Sequence, residues 1–345
     1  MYPVRYPTYQ VFLTAVLALV ATIVLMPVWI ELLKRHRVGQ VIRVDGPENH
    51  LVKAGTPTMG GVLIVGLIVA VYLLLSRRDT AGLIAMFSLL SCGVVGFIDD
   101  YRKVVKERSL GLRARSKLLW QLAIAIVVGL AVVNAVDIPP EIAIPGSNLV
   151  IPLGTPSFSF SLFGVDIAVP LLYLAFVYLV LTATTNTVNL TDGLDGLAAG
   201  TVTITMLAYA GIAFRQNHLE LAILAAAVAG TCIGFLWYNC YPADIIMGDT
   251  GALALGGILA AMAILTRTEL LLILIGGVYV IEGISVIAQV ISYRWFGTRV
   301  LKMAPIHHHF ELKGWSETQV TIRFWVITGV LAGAGFALFF MTGPK

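Results

Sequence analysis

Four segments of this 345-residue chain hold the side chains best suited to chemistry. They are FIDDYRK with Asp99 and Asp100, NTVNLTDGLDG with Asp192 and Asp195, MGDTG with Asp249, and MAPIHHHFELKGW with His307, His308 and His309. Adjacent carboxylates followed by a run of cations, YRKVVKERSLGLRARSK, are the parts of a magnesium-phosphate site, because Mg²⁺ takes one or two carboxylates together with phosphate oxygens and water. On a helix, Asp99 and Asp100 would point about 100° apart, so they need not do the same job. Read without that context, an isolated acidic pair is a stop-transfer anchor.

The NTVNLTDGLDG segment offers Asn186, Asn189 and Thr191 as neutral donors and acceptors. Gly193 and Gly196 would let a ligand approach the backbone closely. Asp192 and Asp195, three apart, share a face if the segment is helical; the plainer alternative is a turn and a helix cap. Asp249, between glycines and preceded by Asn239 and Asp244, is either an N-cap or a metal ligand. Three consecutive histidines cannot all face one point. With no cysteine beside them they suit phosphate or sugar oxygens better than a soft metal.

These segments must be positioned by membrane spans. The chain is 58% hydrophobic and 12% charged, with a mean hydropathy of +0.90, against about 25% charged in soluble domains. A bilayer core takes about 20 apolar residues per helix, and runs of that order predict ten spans. They are Val11–Leu33, Thr58–Leu75, Thr80–Ile98, Leu118–Val136, Val169–Thr185, Leu197–Phe214, Leu219–Tyr238, Gly251–Leu265, Leu270–Ser292 and Phe324–Met341. The first is too long for a signal-peptide core and has no small-residue cleavage site, so it is expected to be retained.

Seventeen of the 23 Lys and Arg residues fall in the loops after spans one, three and nine. Because basic residues stay on the cytoplasmic side, both termini are expected outside and every acidic motif at the cytoplasmic face. NTVNLTDGLDG lies on that face by span parity yet contains no Lys or Arg, so topology does not account for it. The longest outer loop, Asp137 to Ala168, alternates turn residues with β-prone runs and predicts a small hairpin between spans four and five. Cys92, Cys232 and Cys240 show no CxxC spacing, which supports neither a disulfide framework nor a zinc site. Within span nine, Glu282 and Gln289 share a helix face, and Gly276 and Gly277 permit either a bend or close packing. With no internal repeat, residues 1–345 are expected to form one all-α integral membrane domain.

Taken in order, GTPTMGG (Gly55 to Gly61), FIDDYRK, RSKLLWQ, NTVNLTDGLDGLA, MGDTGALALGG and MAPIHHHFELKGW resemble the polyprenyl-phosphate N-acetylhexosamine-1-phosphate transferase superfamily. The HHHFELKGW block is more particular to its phospho-N-acetylmuramoyl-pentapeptide-transferase branch. That resemblance implies ten transmembrane helices, outer termini and an active site on the cytoplasmic face of the bacterial inner membrane. It also implies Mg²⁺ and a homodimer. The implied reaction moves phospho-MurNAc-pentapeptide from its UDP carrier to undecaprenyl phosphate, giving lipid I and UMP, the first membrane step of peptidoglycan synthesis.

By motif, the resemblance makes Asp249 the magnesium ligand and Asp99 and Asp100 the acidic pair needed for catalysis, joined by His308. Asn189, Asp192, Gly193, Leu194 and Asp195 match the uridine-binding loop. Lys53, Thr58, Lys103, Lys117, Asn239, Gln289, His307 and His309 match polar positions lining the cleft. Ile246 stands where relatives can carry an aromatic that stacks on uracil. A groove beside span nine would hold the polyprenyl tail, and no nucleic-acid partner is expected. The nearest alternative is a transferase of GlcNAc-1-phosphate to the same lipid. A transporter would instead concentrate ionisable groups near the bilayer midplane.

Overall fold

The computed structural model describes residues 7–36, 38–39, 55–106, 111–147, 149–162 and 165–342. Its helices are α1 (Pro7–Arg35), α2 (Gly60–Leu75), α3 (Thr80–Val105), α4 (Ala114–Ala135), α5 (Leu171–Thr191), α6 (Leu197–Arg215), α7 (Leu219–Asn239), α8 (Gly248–Leu265), α9 (Glu269–Ile275), α10 (Gly277–Phe296), α11 (Ile306–Glu311) and α12 (Glu317–Thr342). Among the described residues, eight helices are long and apolar enough to cross a membrane. A ninth candidate is the pair α9 and α10, bent by 86° at Gly276, and α2 is a shorter apolar helix of 16 residues. The chain is thus a mostly helical, multi-pass membrane protein.

Burial sorts the helices. The most apolar stretch of α8 is 89% buried and that of α1 only 22%, which places α8 at the centre and turns much of α1 outward. Small residues make α8 packable, because in a bilayer helices associate by close backbone approach rather than by the hydrophobic effect. At Gly96 of α3, a Cβ would lie 2.2 Å from the carbonyl oxygen of Asp249, so only glycine brings α3 this near the start of α8.

Four short strands lie between α4 and α5: β1 (Glu141–Ala143), β2 (Val150–Pro152), β3 (Ser157–Leu162) and β4 (Val165–Pro170). They form two antiparallel pairs, β1 with β2 and β3 with β4, where the sequence predicts one hairpin. The Gly and Pro residues of the segment break it twice. Both hairpins hang from the end of α4 and the start of α5, opposite the bundle end where α3, α5 and α7 finish and α4, α6 and α8 begin.

The bend at Gly276 resolves the two options left by its glycine pair, and both operate. Gly276 carries the turn, and a Cβ on Gly277 would lie 2.8 Å from Leu331 of α12.

Candidate active site

The site forms where chain direction brings helix termini together. α3 runs past the predicted end of its span to Val105, so Asp99, Asp100 and Lys103 sit on its last turns. Lys117 comes from the first turns of α4, Asn189 from the last turn of α5, Asp192 from just beyond it, and Asp249 from the first turn of α8.

Oxygens of Asp99, Asp100 and Asp249 all lie within 4.8 Å of one another. Two ammonium groups stand among them. Lys103 Nζ is 2.7 Å from Asp99 Oδ2 and 3.1 Å from Asp249 Oδ1, and Lys117 Nζ is 3.1 Å from Asp99 Oδ1 and 2.7 Å from Asp249 Oδ2. Asn189 Nδ2 donates to Asp249 Oδ1 at 3.0 Å. The two adjacent aspartates do different work, as their helical geometry predicts. Asp100 accepts the backbone N–H groups of Asp249 and Thr250 at 3.0 and 2.8 Å and the Thr250 hydroxyl at 2.6 Å, so a carboxylate of α3 caps the positive end of α8. Asp99 accepts the Leu112 N–H at 2.6 Å through Oδ1; its buried Oδ2 faces the Lys103 ammonium off the hydrogen-bonding direction.

Asp192 adds a fourth carboxylate. Its burial, and then the negative charges of Asp249, Asp100 and Asp195, hold its carboxyl well above the usual range, although the Gly248 N–H donates to it. Four carboxylates against two ammoniums leave a formal surplus of two negative charges. This oxygen-rich set fits a hard divalent cation. Asp249, at 15% the most exposed of the clustered three (Asp99 1%, Asp100 5%), is the carboxylate most open to one.

Asp192 and Asp195 do not share a face, because residues 192–196 are a turn rather than a helix. Asp195 is buried and takes the Ala243 N–H at 3.0 Å through Oδ2, while its own N–H goes to Glu317 at 2.8 Å. Asn239 uses its amide on the backbone of Gly196 and Ile245. Leu194 is buried against Leu197, Val278, Val320 and Phe324, and Gly193 is half-buried. Thr58 sits with its hydroxyl beside Gly248, and the GTPTMGG segment pairs with the backbone of Ile246 and Met247. The Ile246 side chain is half-buried. Lys53 lies outside the described residues.

The three histidines go to three different partners. His307 Nδ1 is 3.0 Å from Glu282 Oε1, and His308 Nδ1 is 2.6 Å from Glu311 Oε2. His309 Nδ1 accepts the Lys302 N–H at 3.0 Å. Loss of solvent and the Lys313 and Lys302 ammoniums push the His309 imidazole below its ordinary value, in keeping with its acceptor role. Gln289 ties α10 to the following loop through both ends of its amide, at Leu301 N–H and O. It also lines a cleft of about 630 Å³ with Arg294, Arg299 and Lys302. Thr250 and Leu112, which hold the two key carboxylates, were not singled out from the sequence: Leu112 contributes only a backbone N–H, a donor that every residue but proline carries.

A buried acidic cluster at one end of a polytopic bundle, with lysines among its carboxylates, is the kind of site a membrane enzyme handling phosphorylated substrates needs. Residues 81–267 match the family model described as glycosyl transferase family 4. Residues 53–65 match phospho-N-acetylmuramoyl-pentapeptide-transferase signature 1. Proteins named phospho-N-acetylmuramoyl-pentapeptide-transferase are similar over nearly the whole length. The one from Desulfitobacterium hafniense is 43% identical over 97% of this chain and 98% of its own. That of Desulforudis audaxviator is 46% identical over 95% and 97%, and that of Corynebacterium urealyticum 43% over 96% and 97%. The chain belongs to the phospho-N-acetylmuramoyl-pentapeptide-transferase family.

Proposed function

We propose that this protein transfers phospho-N-acetylmuramoyl-pentapeptide from UDP-MurNAc-pentapeptide to undecaprenyl phosphate, releasing UMP and forming lipid I. The observation that carries this reading is the meeting of Asp99, Asp100 and Asp249 with Lys103 and Lys117, from three helices, at one end of the bundle. α2 and the α9–α10 pair each count as a span, giving ten, with both termini extracytoplasmic and the site at the cytoplasmic face of the bacterial inner membrane. Residues 1–345 act as one domain, in a homodimer.

Phosphoryl transfer is catalysed mainly by alignment and by stabilising charge on the phosphate oxygens. Asp249 would hold Mg²⁺, with Asp99 and Asp100 beside it. When bound, that ion would neutralise charge on the diphosphate. Lys103 and Lys117 would move from the carboxylates to phosphate oxygens, and Asn189 keeps Asp249 turned into the site. Asp99 orients the lipid phosphate, which is already anionic at neutral pH and attacks the phosphorus bonded to the sugar in a single displacement. Asp192, Gly193, Leu194 and Asp195, with Thr58, Asn239 and Ile246, form the nucleotide side, and Lys53 belongs to the same substrate-binding set. Gln289, His308 and His309 form the sugar-peptide side, and His307 stands between it and the nucleotide turn at Gly193. Exposed Ile281, Ile284, Ile287 and Ile291 along α10 would support the polyprenyl tail.

The test is UMP release by purified protein given UDP-MurNAc-pentapeptide, undecaprenyl phosphate and Mg²⁺, with UDP-GlcNAc as the competing donor. Release confined to the muramoyl donor is expected; turnover of UDP-GlcNAc alone would move the chain to the neighbouring branch, and a labelled aspartyl intermediate would replace single displacement by double.

A further inference from the structure

We infer that Glu282, inside α10, is a positioning residue that sets which ring nitrogen of His307 carries the proton, and so what His307 offers the nucleotide-sugar donor. The inference rests on the transferase reading above. Glu282 and His307 are both fully buried, 25 residues apart in sequence. A carboxylate inside a membrane bundle is costly unless its oxygens are hydrogen-bonded. Here both are: Oε1 lies 3.0 Å from His307 Nδ1, and Oε2 accepts the Ile306 N–H at 3.1 Å. The other ring nitrogen, Nε2, is buried with no partner. It points at the turn that carries Asp192, where a Cβ on Gly193 would lie 2.4 Å from it, so glycine is needed for the ring to reach that far.

Anchoring the loop explains only one carboxylate oxygen. The Ile306 N–H is a fixed donor and claims an acceptor. A carboxylate then presents a second acceptor to His307, so Nδ1 must donate and a ring bearing a single N–H turns its Nε2 lone pair toward Gly193. That lone pair is an acceptor for a hydroxyl or N–H of a nucleotide-sugar bound over the Asp192–Leu194 turn. An amide at position 282 has the same shape and the opposite effect. Its oxygen must serve Ile306, its NH₂ then donates to Nδ1, and the proton moves to Nε2, facing the donor with an N–H where it needs an acceptor.

The experiment compares wild type with Glu282→Gln, both checked for monodisperse elution and thermal midpoint, and measures KM for each substrate and kcat. Behind a metal-bound histidine, loss of the carboxylate that orients the imidazole lowers activity about 10- to 100-fold, and the same scale is expected for this metal-free pair. The expected result is a fall of that size in kcat/KM for the UDP-sugar, mostly in KM, with KM for undecaprenyl phosphate unchanged. In ¹⁵N-histidine spectra the His307 signal, assigned by its loss in His307→Gln, should show the proton on Nδ1 in wild type and on Nε2 in the variant. If Glu282→Gln does not fold, Glu282→Asp, which keeps the charge but not the reach, must show the same KM split. Equal loss for both substrates, or an unchanged donor KM, would overturn the inference, as would a proton on Nε2 in wild type. If wild type itself releases no UMP, the transferase reading fails, and the ring-nitrogen measurement still decides the proton's position.

Discussion

The two ends of the helix bundle treat their charges differently. Beside the hairpins, most carboxylates have a partner in place: Glu141 pairs with Arg267, Glu220 accepts the Arg77 N–H at 2.8 Å, and Asp79 caps α3 through the Gly82 N–H at 2.8 Å, while buried Glu269 keeps one oxygen without a hydrogen bond. At the other end, three carboxylates crowd two lysines, and burial together with the charges of Asp249, Asp100 and Asp195 holds the carboxyl of the neighbouring Asp192 well above its usual range. Structural charge is consumed where it stands. A crowd of like charges is what a site for an outside cation would keep, and perturbed acids gather at functional sites more often than elsewhere.

The sharpest way to break this contrast is at Asp249. Asp249→Asn should lower UMP release by at least about 100- to 1,000-fold, the cost of losing one preorganised electrostatic group at a reacting phosphate. Its thermal midpoint should fall modestly, because the Lys103 and Lys117 ammoniums and the Asn189 amide hold the Asp249 carboxylate charged in the folded state. UMP release retained in spite of that fall would make Asp249 a structural residue like those at the hairpin end. Chelation of divalent cations should abolish UMP release as completely, and Mg²⁺ should restore it while raising the midpoint of wild type more than that of Asp249→Asn.

Asp192 gives a pH signature. Its folded carboxyl titrates above its unfolded value, so its contribution to stability is full below the ordinary carboxylate pKa of about 4 and is lost as pH rises through the raised value. Asp192→Asn should therefore be more stable than wild type at pH 8, and the difference should close as pH falls toward about 4, read by thermal unfolding in detergent. A difference independent of pH would mean that the charge is already compensated.

Within the acidic end, Asp100 and Asp99 should separate. Asp100→Ala removes the acceptor of three donors at the start of α8 and should destabilise by about 1–2 kcal/mol on top of any loss of turnover. Asp99→Asn should lose turnover with little change in midpoint. The smallest effect belongs to the hairpin end: Arg267→Ala breaks a partly exposed ion pair with Glu141 and should change stability by no more than about 1 kcal/mol, with kcat and both KM values unchanged.

The membrane class, the span that becomes α8 and the convergence of distant acidic motifs were legible from composition and motif order, whereas the central place of α8 appears only in its burial. The end of α3 was not. A charged DDYRK reads as the stop of a span, yet the helix continues to Val105, and that continuation places Lys103 one turn beyond Asp99 for the 2.7 Å contact. The spacing of Asp192 and Asp195 promised a shared face only on a helix. The glycines that follow them build a turn instead and send the two carboxylates to different partners. The break at Gly276 was legible only as an ambiguity, because a glycine pair permits bending and close approach alike and the choice belongs to the neighbouring helix. Glu282 was noticed as a buried acid, but its partner lies 25 residues on in a loop, beyond any helical periodicity.

Lys103 and Lys117 have a consequence for how the pocket takes up an ion. Tethered to the chain, they are resident counterions that never diffuse away, so a metal entering among these carboxylates would exchange with them rather than fill a bare anionic hole. Under the proposed reaction, uptake of the ion would free the two tethered ammoniums to turn toward an arriving diphosphate, and until then they would offset part of the carboxylate charge themselves.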